Sequence, residues 1–189
     1  MIRALEIVGR LAPLILAGAA MAAPQDYVVV PELSSVSFHF TEGGVARAGE
    51  FERFTGTGTF DAEAPREAAL AFEVESGSIE LGNAIVEEFA RAGEWFDSSN
   101  HASITFRLTA LEPIAGERYL AEGVLGIKGR ERPISAPVRL SFGDGEVEAE
   151  GDLRVDREAY RLGTGASQAF VDIGDEVSVR FELVARPVE

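Results

Sequence analysis

After Pro24 the sequence alternates apolar and polar residues with period two, a rhythm that admits little except half-buried β-strands. Val36, Phe38 and Phe40 alternate with Ser35, Ser37 and His39; Leu70, Phe72 and Val74 with Ala71, Glu73 and Glu75. The rhythm returns at Ile104, Phe106 and Leu108, at Val138, Leu140 and Phe142, at Val147 to Val155, and at Val177 to Leu183. Two glycine-richer runs, 49–61 and 118–128, also read as strands. About eight strands follow in simple sequence order, most of them long for a globular protein. One interruption, residues 83–93, is predicted to be helical: Asn83 is the N-cap, Ile85, Val86 and Phe89 form an apolar face, and Gly93 is the stop.

Consecutive antiparallel strands in this number close into a barrel, which removes exposed edges. The expected fold is therefore all-β, an antiparallel up-and-down eight-stranded barrel with one short helix between strands 3 and 4; a two-sheet sandwich is the alternative. The outward positions are charged, among them Glu73, Arg107, Glu122, Glu148, Glu150, Asp152, Arg180 and Glu182. A barrel facing lipid needs the reverse, so no stable membrane insertion is expected.

Residues 1–22 differ from the rest. Arg3 and Arg10 precede an apolar run from Leu11 to Met21, and Ala20-Met21-Ala22 is a small-x-small cleavage pattern, the marks of a secretory signal peptide. A retained anchor is the alternative, although the run is short for a spanning helix. Residues 23–189 then form one exported domain. The absence of cysteine leaves its stability to a core rather than to disulfides. A net charge of −15 repels nucleic acid, which is not expected as a partner. A homodimer is compatible with the sequence but nothing in it specifies one.

The inward face combines Phe38, Phe40, Phe51, Phe72, Phe106, Leu125, Ile127, Val138, Leu140 and Phe181 with small residues at Gly56, Gly58, Ala121, Gly123, Ala149 and Gly151. The small residues either leave internal volume or allow tighter backbone packing. No titratable group is expected on this face, so the lining could hold only an apolar chain. Connections 42–48, 77–102, 129–132 and 157–174 gather at one end, with Phe89, Trp95 and Phe96 as a lid or a staple for the helix. The same rim carries Lys128, Arg132 and further cations, which either meet a polar head group or pair with Glu42, Glu88, Asp97, Glu131 and Glu158. His39 and His101 have no partner at metal-ligand spacing, and no nucleophile elbow, phosphate loop or dinucleotide fingerprint occurs. No catalytic residue, metal or cofactor is expected.

Several segments together resemble one family. Ser34-Ser35-Val36-Ser37-Phe38, Gly49-Glu50-Phe51, Phe54-Thr55-Gly56 and Phe60-Asp61 are similar to the opening of the YceI-like family. Trp95-Phe96-Asp97, Gly126-Ile127-Lys128-Gly129, Arg132-Pro133-Ile134 and Asp156-Arg157 with Tyr160-Arg161-Leu162-Gly163 resemble its later blocks. Ala102 stands where that family usually has proline, Arg161 where it usually has glycine, and Glu88-Phe89 alters the spacing before the aromatic pair. The resemblance implies a lipocalin-like barrel, exported in bacteria, carrying or storing an isoprenoid or other fatty-chain lipid. An enzyme acting on lipid, or a stress-related accessory protein with a filled barrel, are the other readings.

Overall fold

Each long alternating run hydrogen-bonds to its neighbours in the sequence, and the last run returns to the first. The structure, a computed structural model, describes residues 24–61, 63–143 and 145–188, so the signal-peptide segment lies outside the described residues. Its strands are β1 (Gln25–Val29), β2 (Ser35–Glu42), β3 (Val45–Phe51), β4 (Phe54–Phe60), β5 (Ala69–Glu75), β6 (Ile79–Glu80), β7 (Ser103–Ala115), β8 (Arg118–Ile127), β9 (Arg130–Gly143), β10 (Glu146–Asp156) and β11 (Glu176–Pro187). All pairings are antiparallel, in the order β1-β4-β5-β7-β8-β9-β10-β11-β2-β3-β6, and β1 also pairs with β11.

These eleven strands make eight staves, because three staves are broken. β1 and β2 both pair with β11, one below the other, and count as one stave; β3 with β4, and β5 with β6, are two more. Ring closure therefore runs β1–β4–β5–β7–β8–β9–β10–β11–β1. The helix α1 (Ala84–Arg91) follows the two-residue β6 rather than one continuous third strand, and the run 49–61 divides at Glu52 and Arg53.

Buried Ser76 and Ser78 and half-buried Ser34 bridge the breaks, satisfying backbone groups that a continuous ladder would have paired. The Ser78 hydroxyl donates to the carbonyl of Glu75 at 2.7 Å and accepts the Arg53 N–H at 3.1 Å. Ser76 donates to the carbonyl of His101 at 2.7 Å. Ser34 donates to Val30 at 2.7 Å and accepts the N–H of Val184 at 2.9 Å, joining β1 and β2 to β11.

Alternation sends Val36, Phe38, Val74, Ile104, Leu125, Val138 and Leu140 into one buried interior. The β7–β8 register shifts between Leu108 and Ala110, and this bulge changes the parity of β7. Leu111 consequently joins Leu108 on the inner wall, although strict period two from Ile104 would turn it outward. At the pole opposite the helix, Phe60 and Phe142 stack at 5.0 Å. There the Val188 N–H donates to the carbonyl of Asp26 at 2.8 Å, and Gln25 Nε2 donates to the carbonyl of Val188 at 3.3 Å.

A tunnel as candidate binding site

The interior is not filled. A cavity of about 650 Å³ runs through the barrel, and all ten residues read as its lining face it: Phe38, Phe40, Phe51, Phe72, Phe106, Leu125, Ile127, Val138, Leu140 and Phe181. The inward glycines explain how so many rings coexist with an open axis. A Cβ on Gly56 would lie 2.7 Å from the Phe72 ring, and one on Gly151 would lie 2.6 Å from that of Phe181. Gly49 seats Phe38 and Gly123 seats Phe106 in the same manner. The rings lie back against the wall in the space a missing Cβ leaves, as aromatic residues do over strand glycines. Of the two roles considered for these glycines, closer packing is the direct one, and the open volume follows from it.

The wall is less purely apolar than expected. Tyr27, Glu42, Arg47 and Arg157 also line it, which corrects the expectation that no titratable group faces inward. Lining residues that are also exposed, among them Arg47, Ala48, Asn83, Val86 and Phe89, mark a mouth between the β2–β3 hairpin and α1.

α1 is turned the opposite way from an ordinary amphipathic helix. Asn83 caps it as anticipated, its side-chain oxygen accepting the N–H groups of Ile85 and Val86. Glu87 points inward and is buried, because its carboxylate accepts the N–H groups of Leu81 at 3.1 Å and Asn83 at 3.0 Å. Ile85, 83% exposed, faces solvent, while Val86 and Phe89, at 45% and 44%, edge the mouth. The apolar face therefore belongs to the tunnel entrance rather than to the core. Behind it, Phe96 meets Phe51 edge-on at 5.8 Å and Trp95 lies 6.3 Å from Phe89. Trp95 and Phe96 both line the tunnel and pack against the buried core.

The 157–175 connection is organised by Arg157, only 5% exposed. Its guanidinium donates to the carbonyls of Leu162 and Ile173, each at 2.9 Å, and of Gly174 at 3.1 Å, and to the Asp175 carboxylate at 2.9 Å. These bonds gather a long loop around one cation, and Leu162, Val171 and Ile173 from that loop complete the tunnel wall. Gly163 lies directly on the Trp95 indole, with positive φ and no room for a Cβ. Tyr160 is buried nearby, and burial raises its pKa above the usual phenol value. The Trp95 Nε1 and Tyr160 hydroxyl are among the polar groups buried here without a protein partner.

The rim cations divide. Arg47 pairs with Glu42 at 2.9 Å, as the pairing view expected, whereas Arg91 pairs at 3.8 Å with Glu87, which that view did not name. Lys128 and Arg132 lie at the same end but are not on the tunnel wall. His39 is exposed on the outer face, and His101 stands 3.9 Å from Asp97. Sequence reasoning missed Tyr27 and Val29 of β1, although the β-branched run Val28-Val29-Val30 before Pro31 is a strand signal. It also placed Arg157 only among the rim cations; its partners, 5 to 18 residues away, leave no local pattern.

Residues 27–185 match the model of the YceI-like domain. A curated relative, a UPF0312 protein of Azotobacter vinelandii, is 26% identical over 69% of this chain and 68% of its own length. Another, from Shewanella baltica, is 27% identical over 64% of this chain and 67% of its own. Among solved structures, Burkholderia cenocepacia BcnA superposes with a TM-score of 0.78 at 27% identity, over 82% of this chain and 98% of that one. A Saccharophagus degradans domain described as polyisoprenoid-binding and implicated in plant cell wall breakdown gives a TM-score of 0.69 at 15% identity, over 86% and 98% of the two chains.

Proposed function

The chain belongs to the YceI-like family, and we propose that it carries or stores a long-chain lipid in the periplasm, an isoprenoid or another fatty-chain amphiphile, with the tail in the tunnel. The observation that carries this reading is the open, ring-lined tunnel of about 650 Å³ with a mouth edged by Val86 and Phe89. Water-sized units take ~30 Å³ each, so the tunnel accepts on the order of twenty methylene-sized groups. At about 0.8 kcal/mol per buried methylene this amounts to ~16 kcal/mol gross. Association and chain ordering cost about 4–15 kcal/mol of that, and the remainder suits a reversible carrier. The S. degradans relative, described as polyisoprenoid-binding, favours an isoprenoid. Residues 1–22, read as an export signal, support the periplasmic assignment; among the described residues no helix is long and apolar enough to cross a membrane.

Binding without turnover is part of the proposal. Arg157, the most buried charged group of the wall, directs its donors to loop carbonyls and Asp175 and so shapes the loop rather than a reaction. The test is native mass spectrometry with lipid extraction on protein purified from its own host, followed by addition of a polyprenol. A bound lipid mass, or stoichiometric uptake of the polyprenol, is expected. Bare protein that also takes up no polyprenol refutes the reading.

A further inference from the structure

Directly outside the Trp95 end of the tunnel lies a second pocket, polar and about 350 Å³, lined by Glu94, His101, Lys128, Arg130, Arg161 and Thr164. The segment after α1, the β8–β9 turn and the 157–175 loop converge there. Their sequence neighbours Trp95, Ile127 and Leu162 line the tunnel, so pocket and tunnel lie on opposite sides of the wall they form.

Two independent features set this pocket apart. The first is charge. Acidic residues number 32 against 17 basic ones, and most described arginines have a carboxylate partner. Lys128, Arg130 and Arg161 form no ion pair among the described residues. Two carboxylates stand nearby: Glu94 accepts the N–H groups of Ala166 at 2.9 Å and Ser167 at 2.8 Å, and Asp97 accepts Asn100 Nδ2 at 2.9 Å and faces His101. Three cations thus share a recess with two carboxylates, Glu94 and Asp97, whose charges both act on Lys128, while burial lowers the pKa of Lys128.

The second feature is backbone. Among the described residues the non-glycine positions with positive φ are Asp97, Lys128 and Arg161, at 50°, 50° and 57°. All three stand at this pocket: Lys128 and Arg161 line it, and Asp97 adjoins His101. At Lys128 the left-handed φ belongs to the two-residue Lys128-Gly129 hairpin turn, and at Arg161 to the cap of the 158–160 helical turn. These turns hold two cationic side chains at a common space, with Lys128 Nζ 3.3 Å from the Arg161 carbonyl.

We propose that this pocket binds a phosphate-type dianion. Arg130 and Arg161 offer forked N–H donors suited to phosphate oxygens, and Lys128 adds a compact charge. The anion offsets the positive charge that remains at the recess after Glu94 and Asp97 are counted against Lys128, Arg130 and Arg161. The same chemistry is found in free phosphate and in a lipid phosphate head group, and the site does not depend on what fills the tunnel.

The experiment follows the melting temperature and binding heat of the full chain with inorganic phosphate and with geranyl phosphate, using geraniol and equal ionic strength of sodium chloride as controls. Phosphate is expected to raise the melting temperature saturably beyond the chloride control. Arg161→Gly accepts the left-handed φ freely, so without phosphate it melts no lower than the wild type; its phosphate affinity falls at least tenfold. Arg130→Gln, which leaves the backbone alone, weakens phosphate in the same direction. Tighter binding of geranyl phosphate than of phosphate or geraniol, lost in Arg161→Gly, supports the site and identifies a lipid head group as the source. Equal affinity for both phosphates supports the site with a free anion. No saturable response to either phosphate, or a response unchanged in both variants, overturns it; geraniol uptake reports on the tunnel separately.

Discussion

Replacing Ala149 with phenylalanine should shorten the tunnel from its far end. Ala149 pairs with Leu140 on one side and Leu183 on the other, within the cluster that contains Phe60 and Phe181, and it faces the cavity. A benzene-sized group fills on the order of 100–150 Å³, room for roughly four or five methylene-sized units. At about 0.8 kcal/mol each, a tail that reaches this depth loses ~3–4 kcal/mol. That converts to a Kd weaker by roughly two to three decades. A shorter tail ending above the plug loses nothing. Competitive displacement of a fluorescent fatty-chain probe by a short and a long prenol measures both, with thermal melting as a folding control. The ring enters empty space, so the overpacking cost of about 1–3 kcal/mol typical of a filled core should not appear. Equal losses for both prenols, or none for the long one, would refute an end-to-end tail in the barrel.

Two further substitutions probe the wall and the loop. Gly56→Ala sets a Cβ 2.7 Å from both the Phe72 ring and Val29 Cγ2; the ring should lift into the lumen, costing about 1–3 kcal/mol in denaturant unfolding and weakening tail binding, with Phe72→Leu restoring much of both. Arg157→Leu leaves the carbonyls of Leu162, Ile173 and Gly174 without their donor, at about 1–3 kcal/mol for each group left buried and unpaired. Amide exchange should accelerate across 158–174 while the strands stay protected, and Arg157→Lys should rescue only part of it because an ammonium cannot fork among four acceptors; unchanged exchange would remove Arg157 from its organising role.

Alternation alone led to the barrel and to its inner wall because strand geometry dictates which way each side chain points, whatever its partners. Phe38, Phe72, Phe106 and Phe181 needed only the count of two. Features governed by non-local partners escaped. α1 carries an apolar stripe that reads as core-facing, yet Glu87 turns inward because the N–H groups of Leu81 and Asn83 need an acceptor. The breaks at Glu52-Arg53 and at Ser76 to Ser78 lie side by side on adjacent staves, where the Ser78 hydroxyl and carbonyl receive the N–H groups of Arg53 and Glu52. That adjacency exists only after closure. The bulge near Thr109 inverts a parity that the sequence carries unmarked, and the inward glycines read as empty space until the rings over them are seen.

The pairing of Gln25 and Asp26 with Val188 has a practical corollary. Both ends of the described chain emerge side by side at the pole away from the entrance. A surface tether, an affinity handle or a fused reporter attached there would present the entrance outward with nothing in front of it. A few linking residues would suffice to join the ends, so that new termini could be opened in the Gly43-Gly44 turn, leaving every stave intact.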